Sequence, residues 1–350
     1  MNEGADAADP IGRLRRRMVR TAMDRVEFVL IAESGVLEAQ ALLLCESIRR
    51  FAGDYSRCPI TVVSPRKTRR PSRGTVRSLD RLGAEYLPLE IDSCCPEYGT
   101  SYRVHAAAHV ERRPGPPVVV QLDSDTVFLA QPDLDPGECA AAARPVDVKS
   151  MCTTGVDDVF DAYWRELCAL AGVAYERIPM VTTTVDRRTI LASYNGGLVA
   201  TRRACGLFQG TERIFRRIVA ARMRPWGADS PMIHTGTGTL HGAATAYWGT
   251  SQAAFSLAAV AGGHDVRVLA DTHNIPLHLI DQMPAPLSGS PVHVHYHWLF
   301  SAEAKTNPIA RRQIDLPPDT VDWLMRRLPL GRPLHAAARI AAAFRAALAG

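Results

Sequence analysis

Two aspartates one residue apart, Asp123 and Asp125, follow directly on the apolar run Pro117-Val118-Val119-Val120-Gln121-Leu122. Carboxylates at the end of a buried segment are costly unless they are paired or bind a metal. Hard oxygen ligands in a small cluster suit Mg²⁺ or Mn²⁺, and such an ion is often shared with substrate phosphates. The chemistry suggested is that of an enzyme handling a nucleoside diphosphate. A bare D-x-D also caps loops; the apolar run before it favours the metal. A second set of candidates lies far down the chain, where Pro291-Val292-His293-Val294-His295-Tyr296-His297-Trp298 alternates strictly. On a strand, His293, His295 and His297 would share one face and Val292, Val294 and Tyr296 the other. Neutral imidazole is a common metal ligand, so at least one of the three is a candidate. Lys305 follows as a candidate phosphate contact.

The elements that must position these residues read as α/β. The run before Asp123 is expected to be a strand buried on both faces, hence central in a parallel sheet, with its ligand site at the carboxyl end. Strands are expected at Val26 to Ala32, Cys58 to Ser64 and Ala84 to Ile91. Helices are expected at Leu37 to Phe51, Thr75 to Leu82 and Ser101 to Arg112. This alternation implies right-handed crossovers. Further on, Val127 to Ala130 continues as a strand, and Val156 to Ala171 and Arg203 to Arg224 read as helices. Ser193-Tyr194-Asn195-Gly196-Gly197 reads as a turn into a strand, its two glycines letting backbone approach a ligand. Ala228 to Tyr247, rich in glycine, threonine and histidine, shows no clear pattern. Ser251 to Ala261 is an apolar helix, Val266 to Leu269 a short strand and Asn274 to Ile280 extended. Val321 to Arg327 is a short helix.

The 350 residues are 47% apolar and 22% charged, as in a soluble globular protein. No apolar run approaches the ~20 residues of a membrane span. No signal peptide is expected, because Arg13 to Arg17 is not followed by an apolar segment. The net charge of +5 is mild, and the basic residues are nearly all arginine, a bias that with the high alanine content points to a GC-rich, bacterial genome. Arginines clustered at the ends, without a motif or interleaved aromatics, argue against nucleic-acid binding. The eight cysteines show no zinc spacing and are expected to be reduced thiols of a cytoplasmic protein. Residues 1–25 read as a basic extension whose segment Ile11 to Arg25 is an amphipathic helix, a candidate for peripheral membrane contact. Residues 26–310 form the expected domain, and 311–350 a helical extension with an alanine-rich helix at Leu334 to Leu348.

The order of these parts carries a resemblance. A β/α half is followed by Leu122-Asp123-Ser124-Asp125-Thr126, then Tyr194-Asn195-Gly196-Gly197, a helix opening at Ser251-Gln252-Ala253-Ala254-Phe255, and His295-Tyr296. Over roughly Val26 to Lys305 the chain resembles the nucleotide-diphospho-sugar glycosyltransferases of the A-type fold, most nearly those of glycosyltransferase family 8. The resemblance implies a single Rossmann-like domain with a mostly parallel sheet. It implies transfer of a sugar from a nucleoside diphosphate donor, expected to be a UDP-sugar, to a hydroxyl acceptor, with Mn²⁺ or Mg²⁺. Asp123 and Asp125 would be the catalytic D-x-D pair, Asp125 on the metal and Asp123 on the metal or ribose. His295 would join the metal, with His297 as the fallback. Asn195, Gly196 and Gly197 would border sugar and acceptor. The strand end Leu30 to Glu33, with Ala32, would receive the nucleobase, and Ser124 and Arg103 would lie by the donor, Arg103 near the diphosphate. Gln252 would be the glutamine of the later helix, a third catalytic residue. Ser251 departs from an acidic residue often found there, and the Gly-x-x-Lys-Pro-Trp tail is replaced by Leu299 to Lys305.

Three alternatives compete. Asp123-Ser124-Asp125-Thr126-Val127 also fits the start of the haloacid-dehalogenase phosphatases, with Asp123 as nucleophile and Asp125 as acid/base. That family opens its core with the motif, whereas here several strands precede it, and Lys149 and Asp157-Asp158 follow too closely. A sugar-nucleotide pyrophosphorylase would need a phosphate loop that Glu33-Ser34-Gly35-Val36 does not supply. The third is a non-catalytic scaffold of the same fold that holds a nucleotide sugar.

Overall fold

Alternating apolar residues that point to opposite faces of a strand need cover on both sides, and the computed structural model of the protein supplies it. It describes residues 25–226, 230–283, 287–301 and 314–330. The first half runs β1 (Val26–Ile31), α1 (Val36–Phe51), β2 (Ile60–Ser64), α2 (Arg73–Arg81), β3 (Glu85–Pro88), α3 (Ser101–Arg112) and β4 (Val118–Leu122). It continues with β5 (Thr126–Phe128), β6 (Ala141–Pro145), α4 (Asp161–Ala171), β7 (Met180–Thr182), β8 (Thr189–Leu191), β9 (Tyr194–Arg202) and α5 (Leu207–Ala220). Then come β10 (Ile233–Thr235), β11 (Gly238–Leu240), α6 (Thr250–Ala261), β12 (Val266–Val268), β13 (Ile275–Pro276), β14 (His293–His295) and α7 (Pro318–Met325).

Seven strands form the main sheet in the order β12-β6-β9-β4-β1-β2-β3. Neighbouring pairs are parallel except at β9, which runs antiparallel to both β4 and β6. The sheet is thus mostly parallel, as read, with one reversed strand in its middle. Each face is covered. Val29 and Val119 point into a core with Val104, Trp164, Phe215 and Leu257, while Phe28, Leu30, Val120 and Leu122 point into one with Leu44 and Ile48.

A second sheet, β13-β14-β5, stands beside the first. Its core holds Val127, Val294, Tyr296 and Phe300 with Trp323 and Leu324 of α7. Because β5 starts directly after Asp125, residues 123–125 form the corner where the chain leaves one sheet for the other. Ser124 Oγ donates to the carbonyl of Ile31 at 2.6 Å, and Thr126 Oγ1 to that of Asp123 at 2.7 Å, which ties the corner down.

Several expectations are corrected. The helix expected from Val156 begins only at Asp161, and Val156 and Val159 lie exposed before it. Asp158 accepts from the backbone of Thr154 and Phe160, holding a turn where periodicity suggested helix. The glycine pair sits inside β9 rather than in a turn before it. Strand β6 went unread because alanine has little β-propensity; here it fits because both faces are packed. The extended segment from Asn274 has two strand residues and then a 3₁₀ turn, Leu277–Gln282. The basic N-terminal helix, the C-terminal alanine-rich helix and Lys305 lie outside the described residues.

Candidate active site

The register of the small sheet assembles the site. β14 pairs antiparallel with β5, setting His295 opposite Thr126 and His293 opposite Phe128. This brings His295 beside Asp125: its Nε2 lies 3.1 Å from Asp125 Oδ1 and 3.9 Å from Asp123 Oδ2. The strand ends at His295, so the three histidines do not share one strand face. His297 sits at φ 50°, in the left-handed region, and this turn brings its ring back onto His295 with centroids 3.9 Å apart. His297 Nδ1 is 3.6 Å from Asp125 Oδ2. His293 instead is buried with its ring 4.5 Å from Phe128.

Asp125, His295 and His297 offer one ligand atom each, all within 4.8 Å of one another. A carboxylate with two imidazoles suits a divalent transition-metal ion better than Mg²⁺, which prefers oxygen alone. The electrostatics agree with a site that gathers positive charge. Burial raises the Asp125 carboxyl, but the facing His295 and then His297 outweigh it and hold the carboxyl below its usual range. Burial opposes charge on His295, yet Asp125, Asp123 and Asp147 raise it above the ordinary imidazole value. His297 is pushed well below that value by burial and then by His295 and His278.

Asp123 has a different partner. Arg103, on the first turn of α3, places Nη1 2.6 Å from both Asp123 oxygens. Burial would lower the Arg103 guanidinium, but Asp123 outweighs it and raises it. Arg103, expected near the diphosphate, therefore sits on Asp123 and occupies the carboxylate expected to share the metal or ribose. Its Nη2 lies 3.4 Å from Ser251 Oγ. Gln252, on the first turn of α6, lines a narrow cavity of about 20 Å³ with Arg103, Gln121, Tyr194 and Gly196.

Both glycines of β9 are required by side chains. A Cβ on Gly196 would stand 2.5 Å from the Arg103 guanidinium carbon. One on Gly197 would stand 2.5 Å from Asn274 Oδ1 and 2.7 Å from His295 Nδ1. The close approach inferred from the pair is thus made by Arg103, His295 and Asn274. Asn195 is anchored, with Nδ2 donating to Asp147 Oδ2 at 2.8 Å and Oδ1 accepting from Gly197 N at 2.9 Å. Asp147, two residues past β6, was missed; it is half-buried between Asn195 and Thr184, and desolvation raises its carboxyl despite His295. No sequence signal marked it, since β6 itself went unread.

The first strand end is arranged otherwise than expected. Leu30 belongs to the core and touches no open space, a correction to its reading as a base contact, and Ala32 is fully buried. Glu33 is buried and forked by Arg66, whose Nε donates at 2.8 Å and whose guanidinium lies 4.7 Å from the Tyr102 ring. The unreadable stretch forms the hairpin β10–β11. Its Gly236 carbonyl accepts from Gln40 at 2.9 Å, and a Cβ there would come within 2.8 Å of Asp125.

Residues 28–227 match the model of the Rhodobacterales glycosyltransferase domain, more than half of the chain. The chain belongs to that family. It is a glycosyltransferase of the A-type fold, and the match includes Arg103, Asp123, Asp125 and Asn195 to Gly197. The phosphatase and scaffold readings are not favoured. No curated protein sequence matches the chain. Among solved structures it is similar to the bifunctional glycosyltransferase WbbM in its apo form, at 12% identity and TM-score 0.45, over 89% of this chain and 51% of that one. It is also similar to the galactosyltransferase LgtC in complex with donor and acceptor sugar analogues, at 11% identity and TM-score 0.45, over 86% and 96%. A third is mouse xyloside xylosyltransferase 1, apo, at 12% and 0.39, over 77% and 97%. The chain spans about half the length of the WbbM chain. At these distances none of the three assigns a substrate or a residue role. Among the described residues no helix is long and apolar enough to cross a membrane.

Proposed function

We propose that this glycosyltransferase moves a sugar from a nucleoside diphosphate donor, a UDP-sugar, to a hydroxyl acceptor, with a divalent ion, best Mn²⁺, at Asp125, His295 and His297. The observation that carries the reading is the convergence of those three side chains at the carboxyl end of β4, where open α/β sheets bind ligands. When bound, such an ion stabilises the negative charge that grows on a departing diphosphate by several kcal/mol. The chain's own residues do the rest. Arg103 neutralises Asp123 and fixes its plane, so that Asp125 alone of the pair keeps both oxygens toward imidazoles. Asp147 holds Asn195, and Asn195 holds the backbone of Gly197, a rigid floor under the donor side of the site. Gln252 faces the same pocket as Arg103. The cysteine spacing, read as that of reduced thiols, goes with a cytoplasmic location as part of the same reading.

Thermal unfolding with UDP, GDP and ADP, each with and without Mn²⁺, tests this on the wild type and on Asp125→Ala. A nucleotide at ~100 times its dissociation constant stabilises by ~2.7 kcal/mol. The expected result is a UDP shift that needs Mn²⁺ and disappears in the variant. No shift with any nucleotide in the presence of metal would overturn the reading.

A further inference from the structure

Asn274 stands out among the buried polar groups. It is 1% exposed, yet neither its Oδ1 nor its Nδ2 has a hydrogen-bond partner. Buried amides are normally satisfied, and each lost partner is costly. Its backbone is held at φ 47°, in the left-handed region where asparagine is tolerated better than most residues. A second buried atom nearby has the same defect: His295 Nδ1 also has no partner. The two are neighbours. Asn274 Oδ1 lies 2.5 Å, and His295 Nδ1 2.7 Å, from the point a Cβ on Gly197 would occupy. Both atoms therefore border the same point above the Gly197 Cα.

The chemistry of the pair is complementary. His295 turns Nε2 toward Asp125 and Asp123. An imidazole that ligates a metal through Nε2 carries its proton on Nδ1, and that proton needs an acceptor. Asn274 Oδ1 is an acceptor that nothing else uses. The strand that follows it is joined to the ligand strand, with Ile275 paired to Val294 and Pro276 to His295, so Asn274 is carried by the segment next to His295. We infer that Asn274 is a positioning residue that accepts the Nδ1 proton of His295, directly after a small rotation of its amide or through one water, and so fixes the ring with Nε2 toward the ion. Gly197 is glycine because this contact passes over its Cα. The inference rests on the metal reading above and extends it to a residue beyond the ligand set.

The test compares Mn²⁺ binding by the full chain, read from the free-ion paramagnetic resonance signal, in the wild type, Asn274→Gly, Asn274→Asp and His295→Ala. Glycine keeps the left-handed backbone and removes the amide; aspartate keeps an acceptor. Loss of such outer contacts typically weakens metal binding by about 10–100-fold. Asn274→Gly should show that loss with thermal unfolding of the metal-free protein near wild type, and Asn274→Asp should bind within a few-fold of wild type. Nitrogen-15 spectra of the Mg²⁺- or Zn²⁺-loaded wild type should place the His295 proton on Nδ1 and show it protected from exchange with water, and in Asn274→Gly that protection should be lost. Unchanged Mn²⁺ affinity in Asn274→Gly, with binding lost in His295→Ala, would overturn the role of Asn274 and leave the metal site standing. Equal affinity in wild type and His295→Ala would overturn the metal site itself, and this inference with it.

Discussion

Arg103 grips Asp123 through one nitrogen, 2.6 Å from each carboxylate oxygen, and lies directly over the backbone of Gly196. Asp123 is 23% exposed and Arg103 12%, so the pair is largely removed from water. Removing one partner of such a pair leaves an uncompensated charge, worth about 3 kcal/mol or more. Arg103→Ala is expected to lower stability by that amount in urea unfolding. A loss below about 1 kcal/mol, the level of a surface pair, would show that the contact is superficial.

Gly196→Ala should reproduce part of that effect without touching the charge. The added methyl meets the guanidinium carbon at 2.5 Å, and Arg103 must leave its position over the strand. The expected cost is about 1–3 kcal/mol, as for overpacked interiors. In the double variant with Arg103→Ala the methyl has nothing to displace, so the two losses should be clearly less than additive.

Asp125→Asn retains shape and removes charge. Transfer should fall by at least ~10²-fold, the scale for one lost stabiliser of developing charge. Near-wild-type transfer, measured with a radiolabelled UDP-sugar, would remove Asp125 from the chemistry.

Acid should destabilise the metal-free protein well above the carboxylate range. His273 and His278 are each brought down to about 4, chiefly by burial. The unfolded chain takes up protons near pH ~6.5 that the folded protein refuses, so stability is full above that value and is lost as pH falls toward the folded values. His293 and His297, also lowered, act in the same direction. His295 is raised and acts oppositely, its contribution complete below ~6.5 and lost as pH rises through its folded value. Asp125 is lowered, so its contribution is lost only below ~4. The lowered histidines outnumber the raised one, and the urea midpoint should drop between pH 7 and 5. His278→Gln should flatten that slope.

The hairpin over Asp125 makes a separate prediction. Gly236→Val sets a branched side chain where a single Cβ already comes within 2.8 Å of Asp125 and 2.5 Å of Gln40. The hairpin strands are largely exposed, so global stability should change by less than about 1 kcal/mol. Mn²⁺ affinity should fall by about 10-fold or more, the lower end for disturbed outer contacts. An unaltered affinity would mean that the hairpin does not bear on Asp125.

What the sequence revealed follows from how locally each feature is encoded. The valine run before Asp123 needs only its own composition to announce a doubly covered strand, and α3 spans the residues its pattern implied, Ser101 to Arg112. The alternation at residues 292–297 brought attention to the right histidines, but the left-handed turn at His297 depends on packing that no period records. Asp147 follows an alanine strand whose identity comes entirely from its neighbours in the sheet. The glycine pair signalled close approach, but which atoms approach it depends on the fold, since they come from α3, β14 and the residue before β13. Leu30 illustrates the converse: alternation places it on the covered face, and the analogy to a base-binding strand end took no account of that face.

The corner at residues 123–125 also makes the proposed ion site a product of distant stretches of sequence. The seven-stranded sheet takes its last strand from Val266–Val268, whereas the two imidazoles come from β14 and the turn after it, packed with Trp323 and Leu324 of α7. Domains fold as units. A chain cut short before His293 would keep both aspartates and lose both imidazoles, so on the proposed reading such a fragment binds no Mn²⁺ at Asp125.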